Sequence, residues 1–351
     1  MKTTRDENPN QIEIDERIAN RKPAISTAQP PELVALNKAL IEASISKSTR
    51  AAYARDWKAF IEWARSAGVQ PIPASDKTIA AYVTYLVSLG RKPATIDRAM
   101  TTIAKAHRLL DFESPTRGSV VEATRKGHKR TVGTAQKRAR PLTLDHVVRV
   151  LSALQRLPGP RRHRDRALVA LGWAGALRRA ELAAVRCEDL TEQAAGLVLR
   201  LPRSKTDQSG AGEYVGIPFG AVFCPVSLVR EWQAAAGIDS GPLFRSLRKG
   251  GRINDRGIDG RAVDRIVAEA AELAGYSERY SGHSLRAGMI TSSATDGIAD
   301  RVVMTHTRHR SARVFAGYVR PASVFQNNPV QVLLGSIPDP NDQDRPAAGE
   351  L

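Results

Sequence analysis

Two segments in the middle of the chain contain side chains that could act on a phosphate group. Arg178 presents a rigid fork of donors that matches two phosphate oxygens. Glu181 follows three residues later, where a helix would let its carboxylate orient that guanidinium. Lys205 begins a loop rich in Ser and Gly, which could carry its ammonium to a leaving oxygen. Taken singly, an ion-paired surface arginine or an exposed loop lysine more often has no function.

Two further segments lie towards the C-terminal end. His283 and Arg286 are three residues apart, so a helix places both on one face and directs them at one target. His309 precedes a short predicted helix capped by Ser311, and Tyr318 lies at the end of that helix among apolar neighbours. A tyrosine in this position is more often a core residue with a hydrated hydroxyl. Only the joint order of the four segments is informative.

Hydrophobic periodicity predicts a small all-helical domain over residues 31–130, after a flexible polar arm at 1–30. The capping or first-turn candidates there are Ser48 or Thr49, Ser75 and Thr95. A basic stretch without apolar periodicity, 131–140, is predicted as an interdomain linker. The predicted helices of this domain are Thr49–Ala67, Asp76–Leu89, Ala94–Leu110 and Ser119–His128.

The second predicted domain, 141–322, is mainly α with a small antiparallel sheet. Thr143 is its first N-cap candidate, and two predicted strands, Leu197–Leu201 and Tyr214–Ile217, flank the loop that begins at Lys205. A tail follows at 323–351, where Pro329 can start a short helix. The remaining predicted helices are Arg166–Gly175, Pro225–Ala235, Gly260–Ala274, His283–Thr295 and Ser311–Val319.

Composition limits the possible partners and compartments. The chain has 53 Lys and Arg against 36 Asp and Glu, a net charge of +17, which favours a polyanionic partner such as nucleic acid or a membrane surface. The longest apolar run, Ala167–Leu177, is shorter than a membrane span, and the first residues lack the apolar core of a signal peptide, so we expect a cytoplasmic protein. Cys187 and Cys224 are expected to be buried thiols. We find neither a clustered carboxylate set nor a phosphate-binding glycine loop, and expect no metal and no cofactor.

The ordered set of Arg178, Lys205, His283-x-x-Arg286 and His309 nine residues before Tyr318 resembles the catalytic set of the tyrosine recombinases, the phage integrase family. The resemblance extends over about residues 31–334. The sequences of 281–284, 242–245 and 248–251 resemble the Cre branch of that family. Alignment with the family pattern favours Arg178 over the adjacent Arg179, and the nine-residue spacing favours His309 over His306.

This resemblance implies a C-shaped clamp of two domains on DNA and a reaction through a covalent intermediate. Tyr318 would attack the scissile phosphate, forming a 3′-phosphotyrosyl bond and freeing a 5′-hydroxyl, without metal or ATP. His283 would accept the phenol proton, and Lys205 would donate a proton to the departing oxygen. The nonbridging oxygens would be held by Arg178, Arg286 and His309.

The resemblance also implies a double-stranded DNA partner and self-association, as a dimer on one site and a tetramer on two, with the C-terminal helix exchanged between protomers. It implies a cytoplasmic, nucleoid-associated protein of bacterial or phage origin. Two alternatives stay open: a type IB topoisomerase and a non-catalytic architectural DNA-binding protein. The basic residues expected to face DNA from the first domain are Lys105, His107, Arg125, Lys126, Lys129 and Arg130.

Overall fold

The computed structural model describes residues 47–133, 139–202, 212–248, 250–312 and 315–316. The chain divides into two compact units, Met1–Gln136 and Lys137–Leu351, and this division falls within the stretch predicted as a linker. The predicted arm, Lys205, Tyr318 and the tail at 323–351 lie outside the described residues. The finer domain limits therefore stay predictions.

The first unit is helical. Ser75 caps its second helix, since its hydroxyl accepts the N–H of Thr78 at 3.1 Å, and Thr95 lies in the first turn of the third helix behind Pro93. The fourth helix continues past the predicted end at His128, so the beginning of the basic stretch is helical. The elements are α1 (Lys47–Ser66), α2 (Asp76–Ser88), α3 (Pro93–Leu109), a 3₁₀ turn (Pro115–Arg117) and α4 (Ser119–Val132).

An aromatic cluster forms part of the core of the first unit. Phe60 and Tyr82 are almost fully buried, and their rings meet edge to face with centroids 5.0 Å apart. Trp63 packs against both rings from α1. These contacts hold α1 against α2, because one apolar stripe on each helix is removed from water.

The second unit combines helices with two small antiparallel sheets. Its helices are α5 (Leu144–Leu154), α6 (Gly159–Ala174), α7 (Arg179–Ala184), α8 (Pro225–Ala236), α9 (Gly260–Leu273), α10 (Gly282–Thr295) and α11 (Asp300–Thr307). Its strands are β1 (Leu190–Gln193), β2 (Gly196–Leu201), β3 (Glu213–Pro218), β4 (Arg245–Leu247) and β5 (Ile253–Gly257).

The predicted hairpin is present as β2 and β3, which pair from Gly196 opposite Pro218 to Leu201 opposite Glu213. Strand β2 directs alternate leucines into the core, the arrangement expected of a sheet with one covered face. Strand β1 pairs with the other edge of β2, and β4 pairs with β5 in a separate sheet. Strands β1, β4 and β5 were not predicted from the sequence.

Helix α6 lies at the centre of the hydrophobic core of the second unit. Its residues 167–172 are buried, so the longest apolar run of the sequence is a core helix. Among the described helices, none is long and apolar enough to cross a bilayer. Cys187 is buried as expected, whereas Cys224 is half-buried because it occupies the N-cap position of α8, where its sulfur accepts the N–H of Ser227.

Candidate active site

Arg178 occupies the N-cap position of α7, directly after a sharp turn that ends α6. Its backbone N–H donates to Oε2 of Glu181 at 2.9 Å, and its Nη1 donates to Oε1 at 2.5 Å. Burial raises the pKa of Glu181, but the hydrogen bonds and charge of Arg178, together with the charge of Arg308, outweigh it and hold the pKa below its usual range. The carboxylate is therefore ionised and fixes the orientation of Arg178.

Helix α10 places Arg286 beneath this turn. The side chain is only 2% exposed, and its Nη1 donates to the carbonyl oxygen of Ala176 at 2.6 Å. Its Nη2 donates to the carbonyl oxygen of Thr307 and lies 3.4 Å from each ring nitrogen of His309. These hydrogen bonds to backbone carbonyls offset part of the free-energy cost of burying the guanidinium and fix its orientation.

His309 follows α11 and is held from two sides. Its Nδ1 lies 2.7 Å from Oγ1 of Thr307, and its ring meets the buried Phe315 edge to face at 5.5 Å. The hydroxyl of Thr307 also donates to the carbonyl oxygen of Val303 at 2.7 Å. Since a hydroxyl has one proton, both bonds form together only if Nδ1 of His309 carries the hydrogen. This makes Nε2 the nitrogen without a hydrogen in the neutral ring.

Both histidines of the cluster are neutral at pH 7. Burial lowers the pKa of His309 to about 4, with further lowering by the charges of Arg286 and Arg178. Burial also lowers the pKa of His283, and the same two guanidinium groups lower it further. A neutral imidazole can accept a proton, whereas a charged one cannot.

The two members of each pair of alternatives left open by the sequence have different contacts in the structure. Arg179 points away to Asp264 of α9 and is half-exposed, whereas Arg178 belongs to the group whose charges act on His309. Nε2 of His306 contacts the carbonyl oxygen of Ala174 at 2.8 Å, a contact with its own domain. His309 contacts Arg286.

The structure brings together Arg178, Glu181, His283, Arg286 and His309, but Lys205 and Tyr318 lie outside the described residues. The chain leaves β2 after Leu201 and returns at Glu213, so Lys205 belongs to that connection. Tyr318 follows the buried Phe315 by three residues, and the N–H of Phe315 donates to the carbonyl oxygen of Ser311 at 3.1 Å. Residues 312, 315 and 316 are helical.

Sequence reasoning missed two residues of this cluster, Thr307 and Arg308. Thr307 is fully buried and contacts both Arg286 and His309. Arg308 is buried as well and donates to Oε2 of Glu181 at 3.0 Å. Their position next to His309 was the only signal, because burial of an arginine at a helix end cannot be read from its neighbours in sequence.

The residues of the first unit that were expected to face DNA differ in their burial and in their contacts. His107 needs correction: it is fully buried, its Nε2 accepts the N–H of Ala74 at 2.9 Å, and its Nδ1 contacts the carbonyl oxygen of Ile103. Both ring nitrogens are used inside the domain, so His107 is a core residue. Arg125 and Lys129 share the carboxylate of Asp97.

Lys105 lies over the ring of Tyr53, with its Nζ 4.9 Å from the centroid. Lys126 and Arg130 are exposed on α4. Among the described residues, no group of three or more His, Cys, Asp and Glu side chains could hold a metal ion.

Known proteins resemble the chain along most of its length. Residues 140–323 match the phage integrase family. An integrase/recombinase XerD homologue of Selenomonas ruminantium is 33% identical over 299 residues, which cover 83% of this chain and 86% of that protein. The recombinase Cre of Escherichia phage P1 is 24% identical over 286 residues, which cover 76% and 81%.

Solved structures share the fold. A lambda integrase dimer bound to a COC′ core site matches with a TM-score of 0.57 at 18% identity, covering 89% of this chain and 87% of that chain. A lambda integrase tetramer bound to a Holliday junction matches with a TM-score of 0.53 at 16% identity, covering 88% and 85%. These likenesses confirm the predicted mainly helical fold with small antiparallel sheets.

Proposed function

This chain belongs to the phage integrase family and is a tyrosine recombinase, and from that premise we propose that Tyr318 is its nucleophile and Arg178, Arg286 and His309 its phosphate-binding groups. The observation that carries the proposal is the convergence of two guanidinium groups and two neutral imidazoles on one turn of the second unit. Cations fixed in advance stabilise the charge that develops on a phosphate in the transition state.

Each of these residues has one role in the cleavage of a DNA strand. The phenol oxygen of Tyr318 attacks phosphorus, its proton passes to His283, and the bond from phosphorus to the 5′ oxygen breaks. Lys205 supplies the proton that this oxygen needs as it departs. Burial and the neighbouring guanidinium groups lower the pKa of His283, so the imidazole is available as an acceptor at neutral pH.

The experiment that tests this function is covalent capture on DNA. The full chain is incubated with a pool of duplexes that have randomised centres and a nick that lets the cleaved fragment diffuse away. We expect a denaturation-resistant adduct whose DNA converges on a sequence after repeated selection. Failure to form any adduct would contradict the proposed function, and adducts without sequence preference would favour a topoisomerase.

The state of His309 gives a prediction for pH dependence. If Nδ1 keeps its hydrogen bond to Thr307, then Nε2 can donate to a phosphate oxygen only after it gains a proton. A bound phosphate anion favours the charged ring, so we expect the pKa of His309 to rise from about 4 when DNA binds. Ring nitrogen NMR of free and DNA-bound protein measures this rise, and cleavage should slow as the pH exceeds the new pKa.

Thr307→Val tests how that ring is oriented. The change removes the hydroxyl at nearly constant volume, so we expect mixed tautomers of His309. We also expect cleavage to be about 10-fold slower, a loss similar to that on removing a group that orients a metal-binding histidine. The matched control is Thr305→Val on the same helix, because the hydroxyl of Thr305 bonds to the carbonyl oxygen of Arg301 and is exposed. Equal rates for both variants would contradict the assigned role of Thr307.

Double-stranded DNA is the proposed partner, and salt should weaken its binding steeply. If six or more phosphates are neutralised, the affinity should fall about 10³-fold or more between 50 and 200 mM salt, because condensed counterions are released. Lys126→Gln should reduce the slope of log affinity against log salt by about 1 if this exposed lysine contacts a phosphate. An affinity independent of salt would contradict a clamp formed by both domains.

We further propose assembly as a dimer on one site and a tetramer on two, through exchange of the tail at 323–351. The lambda integrase structures, a dimer on a core site and a tetramer on a Holliday junction, support this proposal by likeness of fold. Deletion of residues 323–351 should leave single-site binding intact but abolish cooperative assembly and recombination. Sedimentation that shows normal tetramers of the truncated chain on DNA would contradict the exchange.

A further inference from the structure

Arg308 adopts a backbone conformation that costs free energy in an L-amino acid. It ends α11 with φ +58° and ψ +43°, in the left-handed region where glycine is the usual residue. Three described non-glycine residues have a positive φ, and two of them, Ala176 and Arg308, lie at the candidate active site. Such conformations persist where the surroundings hold them in place, and they concentrate at functional sites.

The side chain of Arg308 is held by the turn that precedes Arg178. It is 5% exposed, and its Nη1 donates to the carbonyl oxygens of Gly175 at 3.3 Å and His306 at 3.1 Å. Its Nη2 donates to Oε2 of Glu181 at 3.0 Å, while Arg178 binds Oε1 of the same carboxylate. One buried carboxylate thus lies between two guanidinium groups.

The third nitrogen of Arg308 connects this cluster to the sheet. Nε lies 3.6 Å from Oε2 of Glu213, the first residue of β3, and within the described residues neither atom has a hydrogen-bond partner. The connection that carries Lys205 ends at this strand. Arg308 therefore contacts both the group that orients Arg178 and the residue where the Lys205 connection rejoins the sheet.

We propose that Arg308 is a positioning residue for DNA cleavage: it shares the Glu181 carboxylate with Arg178, so that donors of Arg178 remain available for phosphate. This inference rests on the proposed function of the cluster.

The physical reason is the balance of charge around Glu181. In the absence of Arg308, the buried carboxylate has one cationic partner, and Arg178 turns its donors fully towards it. With Arg308 present, two cations share one anion. The site retains an excess of positive charge directed at the substrate, as transition-state stabilisation requires.

The test is a double-mutant cycle on the rate of adduct formation, measured at saturating concentration on the duplex recovered by covalent capture. We expect Arg308→Met and Glu181→Gln each to slow adduct formation about 10- to 100-fold. Because Arg308 acts through Glu181, the double variant should be no more than about 3-fold slower than the slower single variant. Multiplying effects would contradict the proposal.

Two further variants separate positioning from a role in stability. Arg308→Gly relieves the left-handed backbone and should melt no lower than Arg308→Met, yet its cleavage should be no faster. Arg308→Lys retains the charge near Glu181 and should recover about 10-fold in rate over Arg308→Met. Cleavage that follows the melting temperature across these variants would overturn the proposal.

The matched control is Arg230→Met, which removes an exposed arginine paired with Glu192 and should leave the cleavage rate unchanged. Adduct formation by the unaltered chain is measured first and tests the proposed function alone.

A second measurement needs no DNA. Loss of the Arg308 charge should raise the pKa of His309 in the DNA-free Arg308→Met variant, and NMR of the His309 ring nitrogens measures this change. An unchanged pKa of His309 in this folded variant would contradict the placement of Arg308 in the cluster.

Discussion

Tyr318→Phe should bind the captured duplex with unaltered affinity and form no covalent adduct. The substitution removes one oxygen and preserves the ring, so the variant should fold as the unaltered chain does. Only the oxygen that attacks phosphorus is lost, and the phenylalanine ring has no nucleophilic atom in its place. Denaturing gels measure the adduct, and gel shifts measure the affinity.

The matched control for this prediction is Tyr276→Phe, a tyrosine of the same unit whose ring packs against His146 and Tyr280. It should form adducts at the rate of the unaltered chain. Peptide mapping of the DNA-linked fragment gives an independent measurement. A phosphotyrosyl linkage mapped to another residue would sink the assignment of Tyr318, whatever the activity of Tyr318→Phe.

Of the helices that carry the site, the sequence predicted α10, which holds His283 and Arg286, but neither α7 nor α11. Helix α10 was predicted one residue short of its observed start at Gly282, and the i,i+3 spacing put His283 and Arg286 on one element. The hairpin of β2 and β3 was predicted from alternating apolar residues.

Other elements lacked such signals. Strand β1 is largely polar and exposed at the edge of its sheet, and β4 and β5 are short and only half-buried, so none shows an alternating pattern. Helix α11 is eight residues long and rich in charge and threonine. Local sequence carries little information where tertiary contacts stabilise the element.

Burial of individual polar residues was the hardest feature to predict. His107 lies among basic residues in sequence, yet it faces the core because it satisfies the N–H of Ala74, which is distant along the chain. Arg308 is buried because Glu181 and three backbone carbonyls surround it. Each outcome depends on a partner more than thirty residues away, which periodicity does not report.

Lys205→Ala should slow cleavage by about 10² to 10⁴-fold, the range in which general acid catalysis contributes. The 5′ oxygen leaves as an alkoxide unless it receives a proton, and the alanine variant cannot supply one. In the proposed mechanism His283 accepts the phenol proton and His309 binds a nonbridging oxygen, so Lys205 is the group left to protonate the departing oxygen. The rate of adduct formation at saturating enzyme measures this loss.

Substitution of sulfur for the bridging 5′ oxygen makes the test specific for the leaving group. A thiolate departs without protonation because its pKa is far below that of an alcohol, so the substituted duplex should restore most of the rate of Lys205→Ala. The matched control is Arg178→Ala, in which the loss concerns nonbridging oxygens and the sulfur should restore little. Equal rescue of both variants, or none of either, would show that Lys205 is not the general acid. Rescue confined to Lys205→Ala would place its ammonium at the departing oxygen, on the connection that rejoins the sheet at Glu213.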